Sequence, residues 1–433
     1  MQVLATGIGA DTTLARIINR VEDAQDAKAR TQSFIDRFSA WYTPGVMALA
    51  LITGIVSGNI VLALTLLVIA CPGALVISIP VAIVAGIGRA ARNGILIKGG
   101  EFLETSAKIT AVAVDKTGTL TEGKPQLTDV VTVNPAYDRT EVLRWAAAAE
   151  AGSEHPLAVP IVDAARNEGV APDGIPEHVT PVPGKGIAAQ VGDQRILIGN
   201  QPLLDEFQVA HNSEAESAAN TLAAQGKTPM IVALDDTVLG VIGVADQLRP
   251  DAAEMIARLH ATGVEKVVML TGDTRLVAEA IGRQVGIDEI HASMLPEDKL
   301  EAVTQMQRDG YVVAMVGDGV NDAPALATAN IGVAMGAAGS AVAVETADIA
   351  LMGDNLLKLP EAVGLARRTV SVMRQNITIA LATVALLLAG VFAGGVTMSM
   401  GMLVHEASVL VVIVNAMRLM RNSASAPRQA TAA

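Results

Sequence analysis

Residues 112–125 read Val-Ala-Val-Asp-Lys-Thr-Gly-Thr-Leu-Thr-Glu-Gly-Lys-Pro, an apolar run that stops on one carboxylate, Asp115, and passes into threonines and glycines. A short Val/Ala run bounded by turn residues predicts a buried strand. Strand ends of a parallel sheet are where α/β folds collect their chemistry. A carboxylate at such an end, followed by hydroxyls and small residues, can attack a phosphoryl group and become an aspartyl phosphate. Lys116, Thr117 and the loop amides would then hold the phosphate oxygens. Thr117 matters most, because phosphatases of this chemistry carry a second Asp two places after the nucleophile as general acid and base. Threonine has no useful pKa for that work, so an acyl phosphate on Asp115 should persist.

Three further apolar runs, at 230–234, 266–270 and 311–316, have the same strand character. Two of them end in carboxylate motifs, Thr271-Gly272-Asp273 and Gly317-Asp318-Gly319-Val320-Asn321-Asp322. Chemistry on so anionic a group needs a cation, and the second motif supplies Asp318 and Asp322 to hold Mg²⁺ together with Asp115 and Thr117. Lys299 would add a fixed positive charge, while Thr271 and Asp273, with Gly272 between them, could hold phosphate oxygens and the loop. Residues 92–366 therefore read as soluble α/β. The phosphorylation domain is expected at 92–125 and 236–366, resuming at the run 239–246, with a second domain inserted at 126–235.

On either side of this region the composition changes. Of 433 residues 51% are hydrophobic and only 17% charged, and neither 41–88 nor 376–404 contains an Asp, Glu, Lys or Arg. Both runs exceed the roughly 18 residues that mark a membrane-spanning helix. Breaks at Ser57-Gly58-Asn59 and Gly394-Gly395 divide them into two helical hairpins, four spans at 41–57, 59–88, 376–393 and 396–417. Basic residues flank the ends (Lys28, Arg30, Arg37; Arg89, Arg92, Lys98; Arg367, Arg368, Arg374; Arg418, Arg421), which places all four ends in the cytoplasm. One cysteine excludes a disulfide framework or zinc finger, and a net charge of −13 argues against nucleic acid as a partner. The segment 418–433 reads as a disordered tail, and no signal peptide is evident.

Asp115-Lys-Thr-Gly-Thr-Leu-Thr, Thr271-Gly-Asp and Gly317-Asp-Gly-Val-Asn-Asp-Ala-Pro together resemble the phosphorylation-domain signatures of P-type ATPases. The resemblance implies a phosphohydrolase-like (HAD-like, Rossmannoid) α/β domain with an inserted α+β nucleotide-binding domain, ATP as substrate and Mg²⁺ as cofactor. Ser153-Glu154-His155-Pro156-Leu157, Gly184-Lys185-Gly186 and Ile198-Gly199-Asn200 resemble the insert of the heavy-metal-transporting subgroup. There Glu150, His155, Gly184, Gly186 and Asn200 are implied to surround adenine and ribose. In the membrane, Cys71-Pro72-Gly73 resembles that subgroup's ion site; Cys71 is the expected soft ligand, with His405 and Glu406 of the last span beside it.

The pattern departs from the subgroup in several places. Copper, zinc and cadmium exporters carry a second cysteine where Gly73 stands, and the zinc/cadmium lysine and aspartate align with Val384 and His405. The His405-Glu406 pair is closer to transporters of cobalt and other divalent ions. A mixed thiolate, imidazole and carboxylate set favours zinc, cadmium or cobalt over copper(I), the run Met398, Met400, Met402 being the feature that points the other way. No Thr-Gly-Glu tripeptide of the family's actuator domain occurs, and residues 1–40 resemble only that domain's end and its link to the membrane. The chain is expected to be the C-terminal part of such a pump, an integral protein of the plasma membrane with its catalytic domains in the cytoplasm and the actuator part a possible partner. A membrane-anchored phosphatase and a non-catalytic metal-binding remnant are the alternatives.

Overall fold

A computed structural model describes residues 34–71, 73–153, 157–170, 176–317, 322–335 and 346–421. The link expected before residue 34, the tail beyond 421, Pro72, His155 and Asp318 lie outside the described residues. The chain divides into two compact units, one of residues 1–110, 310–314 and 326–433, the other of 111–309 and 315–325.

The first unit holds four candidate membrane spans, Ala40–Ser57, Ile60–Arg92, Lys358–Phe392 and Met398–Met420. The first helix, Phe34–Ser57, turns back through Asn59, whose side chain accepts the Leu62 N–H at 3.1 Å and caps Ile60–Ile69. After the break at Ala70 and Cys71 the next helix runs Gly73–Arg92 and ends on Arg89 and Arg92, where the partial negative charge of its C-terminus favours cations. Lys358–Phe392 is one helix of 35 residues. At 1.5 Å per residue that is about 52 Å, well beyond a hydrocarbon core of about 30 Å, so its charged first turns continue out of the span. Thr397 caps the last helix, Met398–Met417.

Small residues set how closely these helices approach. A Cβ on Gly54 would meet Ala63, one on Gly86 would meet Thr369, and one on Gly401 would meet Ile69. Asn376, fully buried, donates to the Val412 carbonyl at 3.3 Å and accepts from Asn415 at 2.8 Å, joining the last two helices by polar contacts that hydrocarbon cannot replace. This unit also contains the strands Ile95–Ile97, Ile349–Leu351 and Ile331–Met335, neighbours in that order, followed by the first residues of Val313–Gly317.

In the second unit that last strand continues, next to Ala111–Asp115, then Lys266–Leu270, then Glu289–His291. Ala111–Asp115 is parallel to Lys266–Leu270, with Asp115 opposite Leu270. The strands Ala111–Asp115 and Val313–Gly317 are buried at every position, which accounts for unbroken apolar runs in place of alternation.

The inserted domain is a six-stranded antiparallel sheet with helices on both faces. Its strand order is 121–132, 237–248, 228–234, 194–199, 186–191, 178–182. Ile196, Ile198, Met230, Val232 and Leu234 face the helices Arg139–Glu150 and Ala158–Asn167. Leu197, Ile231 and Ala233 face the opposite core, with Leu203, Ala215 and Leu222 of the other two helices. Double coverage explains why 230–234 reads in sequence like a strand of the first fold although it belongs to the insert. The run 239–246 differs from expectation for the same reason. It lies within Thr237–Leu248, which pairs antiparallel with Thr121–Thr132 along the insert's sheet.

Candidate functional site

Three neighbouring strand ends converge in the second unit. Asp115 closes its strand at φ −71°, ψ 153°, and the chain turns through Thr117 and Gly118, the latter at φ +71°, a left-handed conformation that glycine adopts without a Cβ penalty. Thr271 follows the next strand, and Gly317 ends the third. A Cβ on Gly317 would stand 2.7 Å from Asp322 Oδ2, so glycine there lets that carboxylate fold back onto the strand end.

Lys299 joins them. It sits on the helix Pro296–Arg308, and its Nζ lies 2.5 Å from Asp115 Oδ1 and 2.8 Å from Asp322 Oδ1. All three side chains are buried. Burial alone would lower the lysine pKa, but the carboxylates of Asp115 and Asp322 outweigh it and hold the ammonium above its usual value. One cation between two buried carboxylates marks a place where positive charge is held, and a divalent ion fits that donor set. Lys116 makes an ion pair with Asp273. The Asp273 N–H donates to Thr271 Oγ1 at 3.1 Å, and the backbone of 271–273 is tied to Ser293 and Met294. Thr117 is exposed.

Two residues at this site carried no role in the sequence reading. Asp246 bonds Thr121 and accepts the Lys124 N–H at 2.9 Å, holding the start of the insert. Arg249 donates through Nε to the carbonyls of Thr119 at 3.0 Å and Thr121 at 3.1 Å, and through Nη2 to Gly118 at 3.3 Å. An acid and a base three residues apart, just before Pro250 and opposite a polar loop, were the available signal.

In the insert, Gly184, Gly186 and Asn200 come together. Asn200 donates to the Gly184 carbonyl at 3.0 Å, and Gly186 pairs with Gly199. Gly186 has φ +144°, and a Cβ there would stand 2.1 Å from the Ile198 carbonyl oxygen. Glu150 ends the helix on the same sheet, 4% exposed, with Oε2 lacking a partner among the described residues. Burial pushes its carboxyl above the usual range against a hydrogen bond from Ser153. A buried carboxyl with one oxygen unpartnered among the described residues is a polar group open to a ligand donor.

In the first unit, Cys71 is exposed at the break, where the Tyr42 hydroxyl donates to the Ala70 carbonyl at 2.8 Å. His405 approaches Gly73, its Nε2 2.9 Å from where a Cβ would be, whereas Glu406 is exposed. Among the described residues no three His, Cys, Asp or Glu side chains gather as a ligand set, so Cys71, His405 and Glu406 are not drawn together. Val384 is buried.

Residues 109–330 match the model of the haloacid dehalogenase-like hydrolases. The chain is 42% identical over 432 residues to a probable cadmium-transporting ATPase of Staphylococcus aureus, covering 97% of this chain and 60% of that protein. It is 41% identical over 416 residues to a zinc-exporting P-type ATPase of Mycobacterium marinum, covering 96% and 56%. It thus spans little more than half the length of these relatives. A crystal structure of a zinc-transporting PIB-type ATPase in the E2.Pi state superposes with a TM-score of 0.77 at 41% identity, over 96% of this chain and 68% of that one. With a lysine bridging two strand-end carboxylates, an inserted six-stranded sheet and candidate membrane helices before and after them in the sequence, the chain belongs to the heavy-metal PIB-type P-type ATPases.

Proposed function

We propose that this chain carries the phosphoryl-transfer and ion-binding parts of an ATP-driven heavy-metal pump of the plasma membrane, its catalytic unit in the cytoplasm. The observation that carries the reading is Lys299 bridging Asp115 and Asp322 at adjoining strand ends. Asp115 attacks the γ-phosphorus of ATP, the bond to the β–γ bridging oxygen breaks, and ADP leaves, with the aspartyl phosphate left on the strand end. Lys116, Lys299, Thr271 and the loop amides spread the charge of the transferred group. Asp115, Thr117, Asp318 and Asp322 would hold Mg²⁺, which would supply neutralisation of the phosphate charge. Arg249 keeps the loop carbonyls turned away from the incoming phosphate, since it occupies those of Gly118, Thr119 and Thr121. Glu150, His155, Gly184, Gly186 and Asn200 receive the nucleoside.

The cargo is a divalent ion of the zinc, cadmium or cobalt class, with Cys71 as its thiolate ligand. One sulfur among nitrogen and oxygen donors suits borderline ions, whereas copper(I) selects sulfur. The relatives' names include cadmium, zinc and manganese. Incubation with γ-labelled ATP and Mg²⁺ is expected to place an acid-stable, hydroxylamine-labile phosphate on Asp115. Equal labelling of Asp115→Asn would remove the nucleophile assignment. The label should decay slowly, and Thr117→Asp should speed its loss, an aligned acid–base group being worth about 10²- to 10⁴-fold.

A further inference from the structure

The glycine at position 73 is not demanded by its backbone. It is the first residue of the helix Gly73–Arg92, and it is not among the glycines of positive φ, so a residue with a side chain could adopt its conformation. What such a side chain would meet is His405. A Cβ on Gly73 would lie 2.9 Å from Nε2 and 3.3 Å from Cε1 of that ring, inside the roughly 3.5 Å at which non-bonded heavy atoms pack. The imidazole therefore fills the space that position 73 leaves empty, two residues from Cys71.

Two other observations bear on this arrangement. Gly401, one turn before His405, packs so closely on Ile69 that a Cβ there would overlap its Cδ1, which holds the last helix against the helix that ends just before Cys71. Ser408 donates to the His405 carbonyl at 2.7 Å, and the ring's Nδ1 is buried without a hydrogen-bond partner among the described residues. A ring nitrogen withheld from water and from protein partners is costly unless something binds the ring. Glu406, the next residue, is exposed and does not share this position.

We propose that Gly73 is a specificity-determining residue. By lacking a side chain it admits the His405 imidazole to the Cys71 break, so that the cargo ion meets one thiolate and one imidazole. This rests on the reading of Cys71 as a cargo ligand. The consequence runs against intuition, because adding a second cysteine at 73 does not add a ligand. Its Cβ takes the ring's place, and the ion loses nitrogen while the new sulfur is built into a site shaped for imidazole. Position 73 and position 405 form a matched pair, in which a side chain at one requires a smaller one at the other. A thiolate–imidazole pair favours borderline divalent ions, and a two-thiolate pair shifts the balance toward softer ones.

The test titrates the full chain, in lipid nanodiscs, with Co²⁺. Cys71 is the only cysteine, so a sulfur-to-cobalt absorption band in the parent reports that residue alone. The parent is expected to show the band, and Cys71→Ala to lose it; a Cys71→Ala protein that binds Co²⁺ unchanged would sink the underlying cargo-site reading instead. Gly73→Ala and Gly73→Cys should each weaken Co²⁺ binding by at least about tenfold, the scale at which even an outer-shell partner of a metal ligand matters. Gly73→Cys/His405→Ala should recover affinity with a more intense sulfur band, and Gly73→Ala/His405→Ala should bind no more weakly than His405→Ala alone. If Gly73→Ala fails to fold, restored folding in Gly73→Ala/His405→Ala reads the same clash. Gly73→Cys binding Co²⁺ as tightly as the parent, Gly73→Cys/His405→Ala failing to improve on Gly73→Cys, or Gly73→Ala/His405→Ala binding more weakly than His405→Ala, overturns the proposal.

Discussion

The proposed phosphoryl-transfer site and the membrane break are built in opposite ways. At the first, Asp115, Asp322 and Lys299 are buried together and bonded to one another, and Lys116 is paired with Asp273. At the second, Cys71 and Glu406 are exposed, His405 Nδ1 is unpartnered among the described residues, and no set of three ligating side chains forms. Charge explains the contrast. Buried carboxylates cannot stand without a counter-charge, so Asp115 and Asp322 are gathered around Lys299. At the break no such pairing of opposite charges draws Cys71, His405 and Glu406 together.

The largest test of this difference is Lys299→Met. Removing one partner of a buried charge cluster costs about 3–5 kcal/mol, and hydrogen exchange of the Ala111–Asp115 amides is expected to quicken accordingly, with Mg²⁺ recovering part of the protection. Exchange unchanged by the substitution would mean that the two carboxylates are not held charged. Arg249→Ala comes next. Its guanidinium serves three loop carbonyls, and hydrogen bonds to charged groups contribute about 1.5–3 kcal/mol. Slower labelling of Asp115 with little change in the ATP concentration required is the expected result, and a change in ATP requirement alone would place Arg249's role in the insert.

Tyr42→Phe probes the membrane break with one atom. Hydrogen bonds between membrane helices average about 0.6 kcal/mol, so Co²⁺ affinity should fall by no more than about threefold; a tenfold loss would show the break to be as pre-built as the soluble site. Glu150→Gln should act in the opposite direction. The folded-state pKa of Glu150 is raised, so the folded chain binds its proton more tightly than the unfolded chain does, and stability falls as pH rises through the ordinary glutamate range toward the raised value. Glutamine removes that loss. Thermal unfolding should show the variant gaining stability at neutral pH and matching the parent near pH 4; a gain of equal size at both would assign the effect to packing.

The placing of much of the candidate site at strand ends was legible because its residues are local in sequence. Asp115 with its threonines, Thr271-Gly272-Asp273 and Gly317 with Asp322 each span a few residues at the end of an apolar run, and a strand end followed by a turn is written in such a stretch. Lys299 was legible as a fixed charge. Its double contact was not, because 184 residues separate it from Asp115. The insert's edges were harder. Residues 239–246 are as apolar as a strand of the first fold, and only the helices covering both faces of the six-stranded sheet separate the two cases.

By itself the sequence determined that four apolar stretches flank an α/β region and that a lone carboxylate at Asp115 meets a loop with no second acid, since hydropathy, period and turn chemistry are properties of neighbouring residues. Which side chain neutralises that carboxylate, that Asp246 and Arg249 hold its loop, and that His405 occupies the room left by Gly73 were decided by tertiary structure alone. Each of these depends on a distance between residues far apart in the chain, and packing sets such distances to tenths of an ångström where sequence pattern carries no information about them.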